Sequence, residues 1–257
     1  VKIFLNLIRY EYKMSIKRWG VWVVYAVMLL PYLGSPAIGK EIAEMFGPSQ
    51  DIWRFSGEFV FRLNTYLPIV AGIVMADRLV RDYKLGVAEL IHGAPVSRRV
   101  FLAAKYLGAL LSGLTPPLVT LLLLVGLFIA YGAPLVLLPM ILAAFVVLTV
   151  PAYAFITAFS LACPLVLPVR IYQVMFTGYW IWGNFMSPEF FPTLNGTLLT
   201  PSGVFALQAF FGGSLSVDEP LVHTPLAAVL NIGVLMSCVV LVLIVVEHYL
   251  DWQQRRV

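Results

Sequence analysis

The sequence predicts an all-α integral membrane protein: six transmembrane helices, an N-terminal elbow helix at the membrane interface, and both ends of the chain in the cytoplasm. Three observations predict it. The 257 residues are 61% hydrophobic and only 12% charged, with mean hydropathy +0.91, whereas soluble domains carry about 25% charged residues. Six apolar runs are separated by polar or turn-rich stretches. The basic residues gather on alternate sides of those runs, as the rule that cytoplasmic loops carry the Lys and Arg excess requires.

Residues 1–18 do not read as a span. At about 100° per residue, Lys2, Asn6, Arg9, Lys13 and Lys17 fall within an arc of about 80°. Ile3, Phe4, Leu7, Ile8, Tyr10 and Met14 lie around the other side. The pattern predicts a helix in the headgroup layer with its basic stripe toward anionic lipid. Glu11 interrupts the apolar face, so that face is expected to meet protein as well as lipid.

Span 1 is predicted over residues 19–33, ending at Pro31 and the turn residues Gly34, Ser35 and Pro36. The preceding helix is too long, and the following apolar runs too many, for a cleaved signal peptide. A polar outer loop over 40–58 leads to span 2 over 59–76, and residues 77–100 return to the cytoplasm. Span 3 stays apolar from Val100 to Tyr131, roughly 48 Å of helix against a hydrocarbon core of ~30 Å. It is expected to project, tilt, or bend at Pro116 and Pro117. Ala104, Gly108 and Ser112 give its cytoplasmic half a small-residue face for close packing. Span 4, over 135–163, repeats the device in Ala154, Ala158 and Ala162.

A short inner link over 164–170 precedes span 5, over 171–186, which is rich in aromatic residues. Residues 187–224 form a second outer region, within which 204–211 is apolar but too short to cross and is expected to be a re-entrant or interfacial helix. Span 6 covers 225–246, and a polar tail follows from about residue 248. The whole of 1–257 reads as one membrane domain. In this topology fourteen of the seventeen Lys and Arg residues are cytoplasmic, leaving Lys40, Arg54 and Arg62 for the outer side.

Intramembrane polar residues mark function when they occur, and here they are few. Arg62 and Asn64 lie near the outer end of span 2, Gln173, Tyr179 and Asn184 on span 5, and Asn231 on span 6. Arg62 either reaches the headgroups, paired to Glu58 at helical spacing, or contacts an anionic substrate group. Asn184 and Asn231 suit hydrogen bonds between helices. The substrate-path candidates are thus Arg62, Asn64, Gln173, Tyr179 and Asn184.

No enzyme site emerges. His92, His223 and His248 are scattered and match no metal-ligand spacing. Gly39-Lys40 lacks the rest of a phosphate-binding loop, and the two cysteines, Cys163 and Cys238, lie in apolar runs. No span interior carries an Asp, Glu or His, as a proton- or ion-coupled carrier would require. If the protein moves a substrate, the energy is expected to come from another chain. The +4 net charge is read as cytoplasmic anchoring, with no nucleic-acid partner.

The longest charged interval, residues 77–106, organises the rest. It holds Arg78, Arg81, Lys84, Arg98, Arg99 and Lys105, and is expected to face water. Gly86 and Pro95 bracket a short helical run over 87–92, and Ser97 stands where the N-cap of the next helix belongs. The run GVAELIHGAPVSRRVFLAAKYLGALL resembles the cytoplasmic segment of ABC-2-type transporter permeases. Gly86, Glu89, Leu90, Pro95, Val96, Ser97, Arg98 and Lys105 match the family's Gly-x-x-Glu-Leu run, Pro-Val-Ser-Arg turn and Lys-containing helix. His92, Gly93 and Ala94 replace the small polar run usual before the proline.

The resemblance covers about twenty residues in motif and the whole chain in layout. It implies the transmembrane subunit of an exporter, working with a second copy or a sister permease in a cell membrane, expected to be a prokaryotic plasma membrane. Two separate ATPase subunits would bind ATP and Mg; this chain would bind neither. They would grip the coupling helix through Gly86, Val87, Glu89, Leu90, His92, Pro95, Ser97 and Arg98. The substrate would be hydrophobic or amphipathic: a drug, peptide or lipid. The alternatives are a permease that extracts lipids or peptides without releasing them, a non-enzymatic scaffold or immunity or biogenesis factor, and, third, an intramembrane enzyme.

Overall fold

A computed structural model of the chain describes residues 2–33, 51–84, 97–186, 192–214 and 222–254. They form α1 (Lys2–Ile16), α2 (Trp19–Leu33), α3 (Ile52–Met75), α4 (Arg78–Lys84), α5 (Arg98–Ala130), α6 (Leu137–Ala144), α7 (Val150–Ala162), α8 (Val169–Phe185), α9 (Val204–Phe211) and α10 (Pro225–Gln254). The described residues contain no strand. Four stretches are long and apolar enough to cross a membrane: Ile52–Asp82, Arg98–Ala130, Leu137–Leu165 and Pro225–Gln253. They correspond to predicted spans 2, 3, 4 and 6. Helix α8, at 17 residues, extends roughly 25 Å, short of the ~30 Å hydrocarbon core, and α2 accounts for 15 described residues.

Two helices outrun their predicted limits, and charge explains both. The outer loop predicted to reach residue 58 ends at Asp51, whose carboxylate caps α3 by accepting from the Trp53 and Arg54 backbone N–H groups at 3.0 and 3.2 Å. The tail predicted from residue 248 remains helical to Gln254 because Glu247 and Asp251 pair with Arg99 and Arg98.

Helix α5 runs unbroken through Pro116 and Pro117. Span 4 is divided by a π turn over Phe145–Thr149 that joins α6 to α7. Pro151 has no N–H to return to the Val147 carbonyl, and the widened turn accommodates the lost bond. Gly203, at φ +92°, packs against Leu148 of this turn, where an added Cβ would stand 3.1 Å from Leu148 Cδ2. The adjoining α9 is buried among α3, the π turn and α10, so 204–211 is set into the bundle and does not lie on its surface. Trp53 donates from Nε1 to the Phe210 carbonyl at 2.7 Å and stacks on Phe211.

The small-residue faces do what their spacing predicts. Ala154 and Ala158 of α7 are buried in a cluster with Leu235 and Val239 of α10. Ala104, Gly108 and Ser112 are buried on α5, and the element seated on that face is α1. A Cβ on Gly108 would stand 2.7 Å from Glu11 Cβ and 3.0 Å from the Ile8 carbonyl oxygen. Contacts of α1 with α5, and of α10 with Arg98 and Arg99, bring both described ends of the chain to the same end of the bundle.

Gly108→Leu is expected to lower stability by about 1–3 kcal/mol through overpacking. Gly126→Leu on the same helix, where an added Cβ meets nothing within 4 Å, is expected to stay within about 0.5 kcal/mol of wild type. Thermal unfolding of both variants in detergent checks the pair, and equal losses would refute the close α1–α5 approach.

Candidate functional site

The site is a network of buried charges where α1, α3, α4 and α5 meet. Glu11 and Ser15 lie on the side of α1 opposite its basic stripe and are its buried residues; Lys2, Arg9, Lys13 and Lys17 are all exposed. The helical period that exposes the cations therefore delivers Glu11 to the protein. Lys105, three residues before Gly108, donates from Nζ to Glu11 Oε2 at 3.1 Å and also to Asp82 Oδ2. The Arg78 guanidinium approaches the other Glu11 oxygen at 3.5 Å, an ionic contact without hydrogen-bond geometry. Two carboxylates thus face two cations. Arg78 and Lys105 are only 2% and 3% exposed, so the charges are balanced by one another with little help from water.

A second pair supports the first. Arg18, just before α2, holds Asp77 with two bonds of 3.0 and 3.1 Å and reaches the Val74 carbonyl in the last turn of α3 at 3.3 Å. This ties the start of α2 to the C-terminal end of α3, whose carbonyls favour a cation. Arg78 Nε and Nη1, Glu11 Oε1 and Ser15 Oγ have no hydrogen-bond partner among the described residues. Arg78 and Ser15 line a cavity of about 20 Å³, which Tyr25 and Ser112 also border. It is polar and large enough for a water molecule.

Sequence reasoning expects Arg78 and Lys105 in a water-facing segment; the structure buries both. A hydropathy profile treats each as one more cytoplasmic charge and cannot show its partners. The interruption of the α1 apolar face by Glu11 is the signal in the sequence that points to the network. Asp82 carries none, because its partner lies 23 residues away across the 85–96 segment.

Of the predicted coupling residues, Gly86, Val87, Glu89, Leu90, His92 and Pro95 lie outside the described residues. Ser97 caps α5, its hydroxyl accepting from the Val100 N–H at 3.4 Å. Arg98 pairs with Asp251, and the exposed Arg99 with Glu247 at 2.6 Å. The roots of the 85–96 segment are thus tied on one side to α1 and on the other to the end of α10.

The predicted substrate-path residues have separate roles. Arg62 is exposed, and Glu58 is taken by Arg54 at 2.8 Å, not by Arg62. Arg54 lies one turn before Glu58, and the helix extension to Ile52 makes that geometry possible. Asn64 donates to the Ser202 carbonyl at 2.8 Å, holding the segment before α9. Gln173 donates to the Ile73 carbonyl at 2.9 Å, tying α8 to α3, and Asn184 donates to Trp180 of its own helix at 2.9 Å. Asn231 donates to Leu198 and Thr200 carbonyls at 2.9 and 3.0 Å. Tyr179 lines an apolar groove between α7, α8 and α10. Among the described residues no group of three His, Cys, Asp or Glu side chains could hold a metal ion, and Cys163 and Cys238 are free thiols.

Comparison with known proteins found no matching family model, no similar curated protein and no similar solved structure.

Lys105→Met leaves Glu11 and Asp82 buried without their shared cation and is expected to cost about 3–5 kcal/mol. Arg99→Ala, on the exposed pair, is expected to leave the unfolding temperature near wild type. A Lys105→Met protein as stable as Arg99→Ala would remove the network as a structural element.

Proposed function

We propose that the chain is the membrane subunit of an ATP-driven exporter of the ABC-2 type. In this reading six helices cross a cell membrane, both ends lie in the cytoplasm, and residues 87–92 form the coupling helix, a handle gripped by separate ATPase subunits that carry the ATP and Mg. Two copies, or this chain and a sister permease, form the path for a hydrophobic or amphipathic substrate.

The observation that carries the reading is the anchoring of that handle. The motif from Gly86 to Lys105 supplies the resemblance. Asp82, in the helix before the 85–96 segment, and Lys105, which closes the motif, are directly paired, and Lys105 is also bonded to Glu11 of α1. A handle rooted in this way transmits a push to α3, α5 and α10 together, since Arg98 and Arg99 carry the load to Asp251 and Glu247. The exposed basic stripe of α1 further supports placing this end of the bundle at an anionic membrane surface.

Purification of the tagged chain in mild detergent, with mass spectrometry of the proteins retained, tests the proposal. A stoichiometric ATPase with a phosphate-binding loop is expected. Glu89→Arg is expected to abolish its retention without changing membrane insertion. Reproducible absence of an ATPase from well-folded wild-type protein would favour the scaffold reading.

A further inference from the structure

The groove that Tyr179 borders has a volume of about 520 Å³, within the range of binding sites for small molecules. Its back wall is Phe155 and Phe159 of α7, whose rings lie 4.6 Å apart. Its sides are α8, with Met175 and Phe176, and α10, with Cys238. Both helices line the groove, which is open to the surface. Leu194 and Leu199 form its roof, and the roof is fixed: Asn231 holds the carbonyls on either side of Leu199, while the Thr200 hydroxyl donates to the Leu194 carbonyl.

We infer that this groove takes one acyl chain of a bilayer phospholipid, entering sideways between α8 and α10. The chemistry of the lining selects a tail and excludes a headgroup. The lining is almost wholly carbon and sulfur, and the Tyr172 hydroxyl is bonded to the Ser160 hydroxyl at 2.9 Å. A polar ligand group buried there would lose its water for few partners. An open groove with so little polar lining offers water few partners.

The two flanking helices carry exposed aliphatic side chains: Val174 and Met175 on α8, Val240 and Leu241 on α10. Helix α10 is long and apolar enough to cross a membrane, and with α8 beside it in the bilayer, as its sequence is read, the medium at that opening is hydrocarbon. The inference rests on membrane embedding and does not require the exporter reading.

The test uses the full chain in phosphatidylcholine nanodiscs doped with a lipid carrying a mid-chain photoreactive diazirine. Mass spectrometry then maps the crosslinks. Labelling at Phe159, Cys163 and Met175 is expected to exceed that at Leu241 several-fold, although Leu241 is the more exposed to lipid. Cys238→Trp, which fills the groove, is expected to abolish labelling at Phe159 and Cys163 while leaving Leu241 labelled. Groove labelling no greater than at Leu241 overturns the inference in the wild-type protein alone, whatever the variant does. Crosslinks from the groove to a second copy of the chain overturn it in favour of a dimer contact. Absence of label at Leu241 as well overturns the embedding on which it rests.

Discussion

The architecture depends on one constraint: the Lys105 ammonium, buried inside the bundle, needs two carboxylates and draws them from different parts of the chain. Glu11 comes from the N-terminal helix and Asp82 from the end of the helix preceding the 85–96 segment. A buried cation without its anions is costly enough to destabilise a domain. The three elements are therefore held in one arrangement, and Arg78 adds the charge that balances the second carboxylate. Packing makes the contact possible. Gly108, one turn beyond Lys105, has no side chain to hold α1 away, and the carbon stem of Glu11 occupies the place of the missing Cβ.

The opposite end of the bundle is held by side-chain amides donating to backbone carbonyls. Asn64 and Asn231 grip the segment before α9 from two different helices. Helix α8 is tied along α3 in the same neutral way, Trp180 donating to the Thr65 carbonyl and Gln173, near the ionic end, to the Ile73 carbonyl, while Gly72 receives the Phe176 ring. Each amide spends its donor on a carbonyl that irregular backbone leaves without a helical partner, or on one at a helix–helix seam. In an apolar surrounding such bonds order a loop without placing a charge there. The buried ionic ties thus lie at the end where both chain ends meet, and at the other end the one ion pair among the described residues, Arg54–Glu58, lies within α3.

Much of this was legible in the sequence, for identifiable reasons. The apolar runs and the small-residue faces at 104, 108, 112 and 154, 158 record local periodicity, which a single helix displays without its neighbours. Ser97 as a cap is equally local. The position of Glu11 within an otherwise apolar face predicted burial against protein. Its partners were illegible, because Arg78, Asp82 and Lys105 meet only when α3, α4 and α5 are assembled. Arg62 shows the reverse case: helical spacing offered Glu58 as a partner, but Glu58 has a second neighbour at the same spacing, Arg54, which α3 includes only because Asp51 caps it so early. The short helix α9 was legible in length and hydropathy, whereas its burial required the π turn beside Pro151, which no periodicity announces.

The claim that charge holds α1 in place is tested most directly by the distance between α1 and α5. Spin labels at Arg9 and Leu111, both exposed, in a background lacking the two native cysteines, report it by pulsed electron resonance. The account predicts one narrow distance distribution in this background, and a broad one extending to longer distances when Lys105→Met is added. An unchanged narrow distribution in the Lys105→Met protein would show that α1 is held by apolar packing alone, and would contradict the account.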